Sequence, residues 1–191
     1  MRDRLKRMIL ERAFRYSEEP VFKLAYGGVS RFYFNCKRVT LDPEGQVLVG
    51  QLVLQTIRDP AVVAVGGLTL GADPISNAVA YTSWLQHRPL QAFVVRKQEK
   101  DHGEVNRIEG NVQRGDSVVV VDDVITTGGS TLQAIAACQA AGLQVVQVIA
   151  IVDRQEMNGR ENILDRVPHF DALTTRDEML YLFLKSRGHR T

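Results

Sequence analysis

At 191 residues, 45% hydrophobic and 24% charged, the chain is long enough for one domain with a substantial core, and ordinary for a soluble globular protein. A formal net charge of +2 is too small to argue for a nucleic-acid partner, although it leaves room for a local basic patch facing an anionic substrate. Cys36 and Cys138 make no disulfide framework, no run approaches the length of a membrane span, and no apolar signal-peptide core follows the basic first residues, so the expectation is a cytoplasmic protein with no membrane partner.

Leu5, Met8, Ile9 and Ala13 recur at helical spacing among arginines and lysines, which predicts an amphipathic helix over residues 3–16. Residues 21–26 and 31–36 read as two short strands joined around Gly27-Gly28. Tyr26, Phe32, Tyr33 and Phe34 concentrate there, either as core or as the walls of a flat pocket for a planar ligand. Asp42-Pro43-Glu44 is a helix start, continued by Val47, Leu48, Leu52 and Ile57. From residue 61 strand and helix alternate. Strands are expected at 61–65, 91–95, 117–121, 144–152 and 170–173, with Gly66-Gly67 as the loop after the first and Gln147 interrupting the fourth. Helices are expected from Asp73-Pro74, over Leu132–Ala141 and over Thr175–Leu184. This alternation implies right-handed crossovers and an α/β fold with a parallel sheet. Ligands on such sheets gather at the carboxyl ends of the strands, where Gly66-Gly67, Asp122-Asp123 and Asp153-Arg154 all fall.

The stretch from Ser117 to Thr131 carries the most chemistry. Val118 to Val121, four β-branched residues without alternation, suit a strand buried on both faces. Asp122 and Asp123 follow at once, and then a loop of Thr126, Thr127, Gly128, Gly129, Ser130 and Thr131 opens a helix. Backbone N–H groups and a helix N-terminus converging on one point make an anion site, and the hydroxyls add donors. The two carboxylates would repel a phosphate, but they accept well from sugar hydroxyls. Phosphate and diol together describe a ribose 5-phosphate. No lysine follows the glycines, so an ATPase phosphate loop has no support. Between Val95 and Ser117 lies a connection too long for its neighbours, in which Arg96, Lys97, Lys100, His102 and Arg107 alternate with acids; such loops are functional, disordered or, more plainly, solvated hairpins.

The string ending at Thr131 resembles the phosphoribosyl-pyrophosphate (PRPP) signature of type I phosphoribosyltransferases. Arg96 to Glu104, including Lys97, Lys100, Asp101, His102 and Gly103, resembles the mobile catalytic loop of the orotate phosphoribosyltransferases. Asp153-Arg154-Gln155-Glu156 with Gly159-Arg160-Glu161-Asn162 is similar to the segment after that family's last core strand, and Phe22 to Gly27 with Ser30 to Asn35 is similar to its hood strands. The resemblance covers roughly residues 20–180.

It implies a type I phosphoribosyltransferase-like parallel sheet flanked by helices, as one domain over 1–191, with a hood from about 1–40 plus a C-terminal part, a core of about 45–175 and a mobile loop of about 96–114. The implied activity moves 5-phosphoribose from PRPP to orotate, giving orotidine 5′-phosphate and pyrophosphate in pyrimidine (UMP) biosynthesis. Mg2+ would be carried by PRPP without direct protein ligands, and the protein would be a homodimer with shared active sites. By position, Lys100, His102, Asp122 and Asp123 are the catalytic candidates. Arg96, Lys97, Lys100 and His102 would contact pyrophosphate. Asp122 and Asp123 would hold the ribose hydroxyls, with Val124, Ile125, Thr126, Thr127, Gly128, Gly129 and Ser130 completing the PRPP site. Thr126 and Arg154 would contact orotate. The chain departs from the pattern where Thr69-Leu70-Gly71 lacks the lysine that many members carry, at Ala25, and at Val105-Asn106 after Glu104. A phosphoribosyltransferase for another base, or a PRPP-binding regulator on the same fold, are the competing readings.

Overall fold

The computed structural model describes residues 1–24, 27–98 and 107–188. Helix α1 (Arg2–Met8) runs into a π-helical turn, Ile9–Ala13, and then into strand β1 (Phe14–Tyr16). The helix expected over 3–16 therefore ends at Ala13, because Phe14 leaves it for an antiparallel ladder. Strands β2 (Phe22–Lys23), β3 (Val29–Ser30) and β4 (Phe32–Phe34) follow. The expected single pair of strands is two ladders instead, β2 with β3 and β1 with β4. A short helix that periodicity did not reveal, α2 (Lys37–Thr40), leads to α3 (Pro43–Thr56). Asp42 caps α3 by accepting from the N–H groups of Glu44 and Gly45, a device that stabilises a helix by about 1 kcal/mol.

The main sheet takes β5 (Ala64–Leu68), β6 (Gln91–Val95), β7 (Ile108–Gly110), β8 (Ser117–Ile125), β9 (Gln144–Asp153) and β10 (Phe170–Thr175). Helix α4 (Asp73–Leu85) connects β5 to β6, α5 (Gly129–Ala140) connects β8 to β9, and α6 (Gly159–Leu164) connects β9 to β10. Helix α7 (Arg176–Ser186) follows β10 behind a capping box of Thr175 and Glu178. The order across the sheet is β10-β9-β8-β5-β6-β7. Every pairing is parallel except β6 with β7, where Val95 faces Ile108 and closes the base of the long charged connection. Helices flank a mostly parallel six-stranded sheet, as expected.

β8 is buried on both faces. Val119 and Val121 join the cluster that includes Leu5, Met8, Val49, Val53 and Ile75, while Val118 and Val120 join the one that includes Ala134, Ile135, Cys138 and Ile163. Each fully buried valine contributes about 1.5–3 kcal/mol, so this strand anchors both layers. Gly66 and Gly67 lie inside β5 rather than in a loop after it. A Cβ on Gly66 would collide with the Phe93 carbonyl, and one on Gly67 with the Val121 carbonyl, so they permit close packing of neighbouring backbone. Gln147, which interrupts the apolar run of β9, is buried beside an irregularity in the β8–β9 register. Its amide donates to the Thr56 carbonyl and to Asp171, and its oxygen accepts from the Arg58 N–H, tying the end of α3 to the sheet edge. Among the described residues no helix is long and apolar enough to cross a membrane.

Candidate active site

β8 runs four residues past its valines before it turns, and so carries Asp122 and Asp123 to the carboxyl edge of the sheet. The Asp123 N–H donates to Asp122 Oδ1 at 2.9 Å, and the Val124 N–H donates to Asp123 Oδ1 at 2.9 Å. The Thr131 hydroxyl donates to Asp122 Oδ2 at 2.8 Å, and Lys37 Nζ, from α2, donates to Asp123 Oδ2 at 3.1 Å. Each carboxylate is thus held at both oxygens yet keeps acceptor capacity for further donors. Burial, and then the charge of Asp123, push the Asp122 carboxyl up to about 7. Gly71 brings the turn after β5 against the same pair, close to Oδ1 of each.

Beyond the carboxylates, Val124, Thr126, Thr127, Gly128, Gly129, Ser130 and Gln133 line a cavity of about 490 Å3 with Asp122. The chain turns at Gly128 with φ +79°, a left-handed conformation that glycine adopts without a Cβ penalty. α5 starts there with no side-chain cap, so orphan N–H donors and the positive end of its dipole belong to this cavity. Asn162 of α6 donates to the Thr127 carbonyl at 3.1 Å and props the turn from below. The wall carries backbone donors, hydroxyls and an amide, which suits a phosphate.

At the next strand end, Arg154 N–H donates to the Ile125 carbonyl at 2.9 Å, so the Arg154 backbone is stitched to the end of β8. Its side chain is 6% exposed. Nη2 donates to Ser30 Oγ at 3.0 Å and pairs with Glu156 Oε2 at 2.8 Å, and the guanidinium stands 6.0 Å from the Phe34 ring centroid. Nε is buried without an acceptor. Glu156 is shared with Arg176, which lies over the Phe32 ring at 5.3 Å. Between Gln155 and Asn158 the backbone visits the left-handed region three times, at Gln155, Met157 and Asn158, a concentration of strain typical of functional segments.

The structure brings Asp122, Asp123, Thr126, Thr127, Gly128, Gly129, Ser130 and Arg154 to one edge. Val124 and Ile125 contribute backbone, since Ile125 is buried in the core and Val124 packs against it. Thr131, read as a donor for the ligand, turns inward to Asp122 instead. Arg96 is held by its N–H to the Arg107 carbonyl and by an ion pair to Glu109, while Lys97 offers its carbonyl to Arg107. Lys100 and His102, with Tyr26 and the Ala25 departure, lie outside the described residues. Lys37, Ser30, Glu156 and Arg176 were missed. Periodicity carries no signal for them: Lys37, Ser30 and Arg176 meet partners distant in the chain, and Glu156 joins its near neighbour Arg154 to the distant Arg176.

Phe14 contacts Phe32, Phe34 and Phe183 of α7, and Tyr16 contacts Phe32 and Phe183, so Phe32 and Phe34 pack against the core. Phe22 and Tyr33 stack separately, at 5.7 Å between centroids.

The comparisons agree with this geometry. Residues 44–168 match the family model of the phosphoribosyl transferase domain. The orotate phosphoribosyltransferase of Aquifex aeolicus is 47% identical over 162 residues, 85% of this chain and 88% of the relative. That of Sorangium cellulosum is 44% identical over 179 residues, 92% of each chain. The crystal structure of Mycobacterium tuberculosis orotate phosphoribosyltransferase in complex with PRPP superposes with a TM-score of 0.71 at 30% identity, covering 93% of this chain and 90% of the other. With a phosphoribosyl transferase domain match over most of its length and relatives of this identity, the chain belongs to the orotate phosphoribosyltransferase family.

Proposed function

We propose that the protein transfers 5-phosphoribose from PRPP to orotate, releasing pyrophosphate and forming orotidine 5′-phosphate, a step of pyrimidine biosynthesis. The carrying observation is the shared edge. A diol-accepting carboxylate pair, a neutral anion cradle and a buried guanidinium with an unpartnered Nε follow one another at the ends of β8 and β9. Asp122 and Asp123 accept from the ribose hydroxyls, the turn from Thr126 to Ser130 takes the 5-phosphate, and Arg154, with Thr126, takes orotate. A planar carboxylate is the natural partner of a guanidinium fork. Breaking the glycosyl bond puts positive charge on the sugar and negative charge on pyrophosphate. Arg96, Lys97, Lys100 and His102 are assigned to that leaving charge and to excluding water, which would otherwise hydrolyse the activated sugar. Mg2+ would neutralise the diphosphate, arriving with PRPP. Thr131 and Lys37 hold one oxygen of each carboxylate, an arrangement that suits acceptors of hydroxyl groups and leaves the cation to the diphosphate.

The reading is tested with PRPP, Mg2+ and orotate by following the loss of orotate absorbance, with adenine and uracil as competing bases. Orotate consumed with one pyrophosphate released supports it. Turnover of another base in its place, or PRPP binding without turnover, overturns it.

A homodimer with shared sites belongs to the same proposal, as does a cytoplasmic location. Tyr81 and Trp84, both 70% exposed, and Leu85 at 60% leave a strongly apolar face on α4, in keeping with a covering surface. Mixing Lys100→Ala with Arg154→Ala gives heterodimers with one intact pocket of two. At half mixed dimers, activity recovers to about a quarter of wild type. No recovery after verified subunit exchange rules out the shared site.

A further inference from the structure

Lys37 brings a cation from a distant part of the chain to the carboxylate pair. The cavity beside the carboxylates is lined by Asp122 and by neutral residues only, from Val124 to Gln133. The positive end of α5 serves the phosphate cavity, but the carboxylate pair beside it still brings negative charge toward a phosphorylated sugar. Among the described residues, Lys37 is the one cation ion-paired to either carboxylate, with Nζ 3.1 Å from Asp123 Oδ2. It comes from 86 positions earlier in the chain.

Its approach is built. α2 is a single turn pinned at both ends, by Cys36 at 1% exposure and by Val39 and Thr40 at 0% and 1%. The preceding Asn35 N–H donates to the Ala13 carbonyl, so the turn is fixed to the end of the π-helical segment. The lysine stem therefore starts from a rigid base and reaches over to β8. Its side chain is 43% exposed while that of Asp123 is 15% exposed. Burial works against the ammonium, but the charge and hydrogen bond of Asp123 outweigh it and hold the ammonium more firmly protonated. An ion pair this exposed adds little to stability. Ordering a flexible lysine for so small a return suits a role at the ligand.

Resting on the phosphoribosyl-transfer reading above, we infer that Lys37 is a positioning residue for PRPP: it sets Asp123 for the ribose hydroxyls and offsets the carboxylate charge that the phosphorylated sugar meets. The second oxygen of Asp123 already accepts from the Val124 N–H, so the ammonium and the backbone together define the carboxylate plane. The residue acts through Asp123, not on orotate.

The test is a double-mutant cycle on PRPP binding, measured by calorimetry with Mg2+, alongside steady-state kinetics. Lys37→Met raises the PRPP dissociation constant and KM about tenfold, leaves the orotate KM within about twofold, and Lys37→Arg restores most of the loss. Added to Asp123→Asn, Lys37→Met costs no more than about twofold further, because the partner through which it acts is gone. A full tenfold loss in the Asp123→Asn background overturns the inference, as does an equal rise in both Michaelis constants or a loss that Lys37→Arg does not recover. Melting temperatures of the four proteins check that each is folded. If the wild type binds PRPP but does not use orotate, the proposed function fails while the binding cycle still decides the role of Lys37.

Discussion

The two ends of the candidate site are made in different ways. The phosphate end is a single run of chain. A buried strand, two carboxylates, a glycine turn and an uncapped helix follow within Ser117–Thr131, and most of its donors are backbone groups. The base end is assembled from side chains of three distant regions. Ser30 comes from β3, Arg154 and Glu156 follow β9, and Arg176 begins α7, with Phe32 and Phe34 of β4 beneath the guanidiniums. A backbone-built site is hard to lose by one substitution. A side-chain network fails when one member goes, because its buried partners are left unpaired.

The comparison breaks most sharply at Arg154. Removing it as Arg154→Ala leaves Glu156 facing Arg176 alone and takes away the proposed orotate fork. Loss of one partner of a buried charge pair costs about 2–5 kcal/mol, so kcat/KM for orotate falls about thirtyfold or more, with a much smaller change for PRPP. Arg154→Lys recovers little, since an ammonium cannot reproduce the fork. A comparable fall for both substrates would make Arg154 a structural residue.

A smaller effect is expected at the phosphate end. Asp123→Asn keeps the backbone cradle and one carboxylate, so PRPP binding or turnover weakens by about tenfold, roughly 1.4 kcal/mol. Unchanged PRPP kinetics would remove the carboxylate pair from the site.

The mildest test is of acidity. Asp122 is raised from 3.8 to about 7, by burial first and by Asp123 second. Ribose hydroxyls donate to the ionised form, so PRPP affinity rises as pH passes through about 7 and levels off about one pH unit higher. Between pH 6.5 and 8 this group alone predicts roughly a fourfold gain. Stability moves the other way. The folded-state value lies above the unfolded one, so the contribution of Asp122 is complete below about 4 and is lost as pH rises through about 7. Asp122→Asn should flatten both trends relative to wild type. Retention of the same affinity slope in Asp122→Asn would place the titrating group elsewhere.

How far the sequence could be read follows from the same contrast. Strand-helix alternation from residue 61 onward was legible because each element is set by its own apolar pattern, and β6 appears at its expected bounds, Gln91–Val95. The readings that failed are those where a partner overrides the local pattern. Gly66-Gly67 looks like a loop from composition, but neighbouring carbonyls demand residues without a Cβ there. Residues 14–16 close the span expected as a helix, but the aromatic cluster with Phe32, Phe34 and Phe183 draws them into a strand.

By itself, then, the order of residue types from Val118 to Ser130 determined a strand end with two carboxylates and a glycine turn, the pattern from which a phosphate and diol site is proposed. Contiguous backbone geometry is a local property, and Arg154 could be placed on the same edge from strand order alone. Only the tertiary structure decided that Thr131 serves Asp122, that Glu156 joins Arg154 to Arg176, and that Lys37 reaches Asp123. These are contacts between charged and hydroxyl side chains, which have no periodicity to announce them. Their partners are chosen by where a packed core sets two backbones side by side.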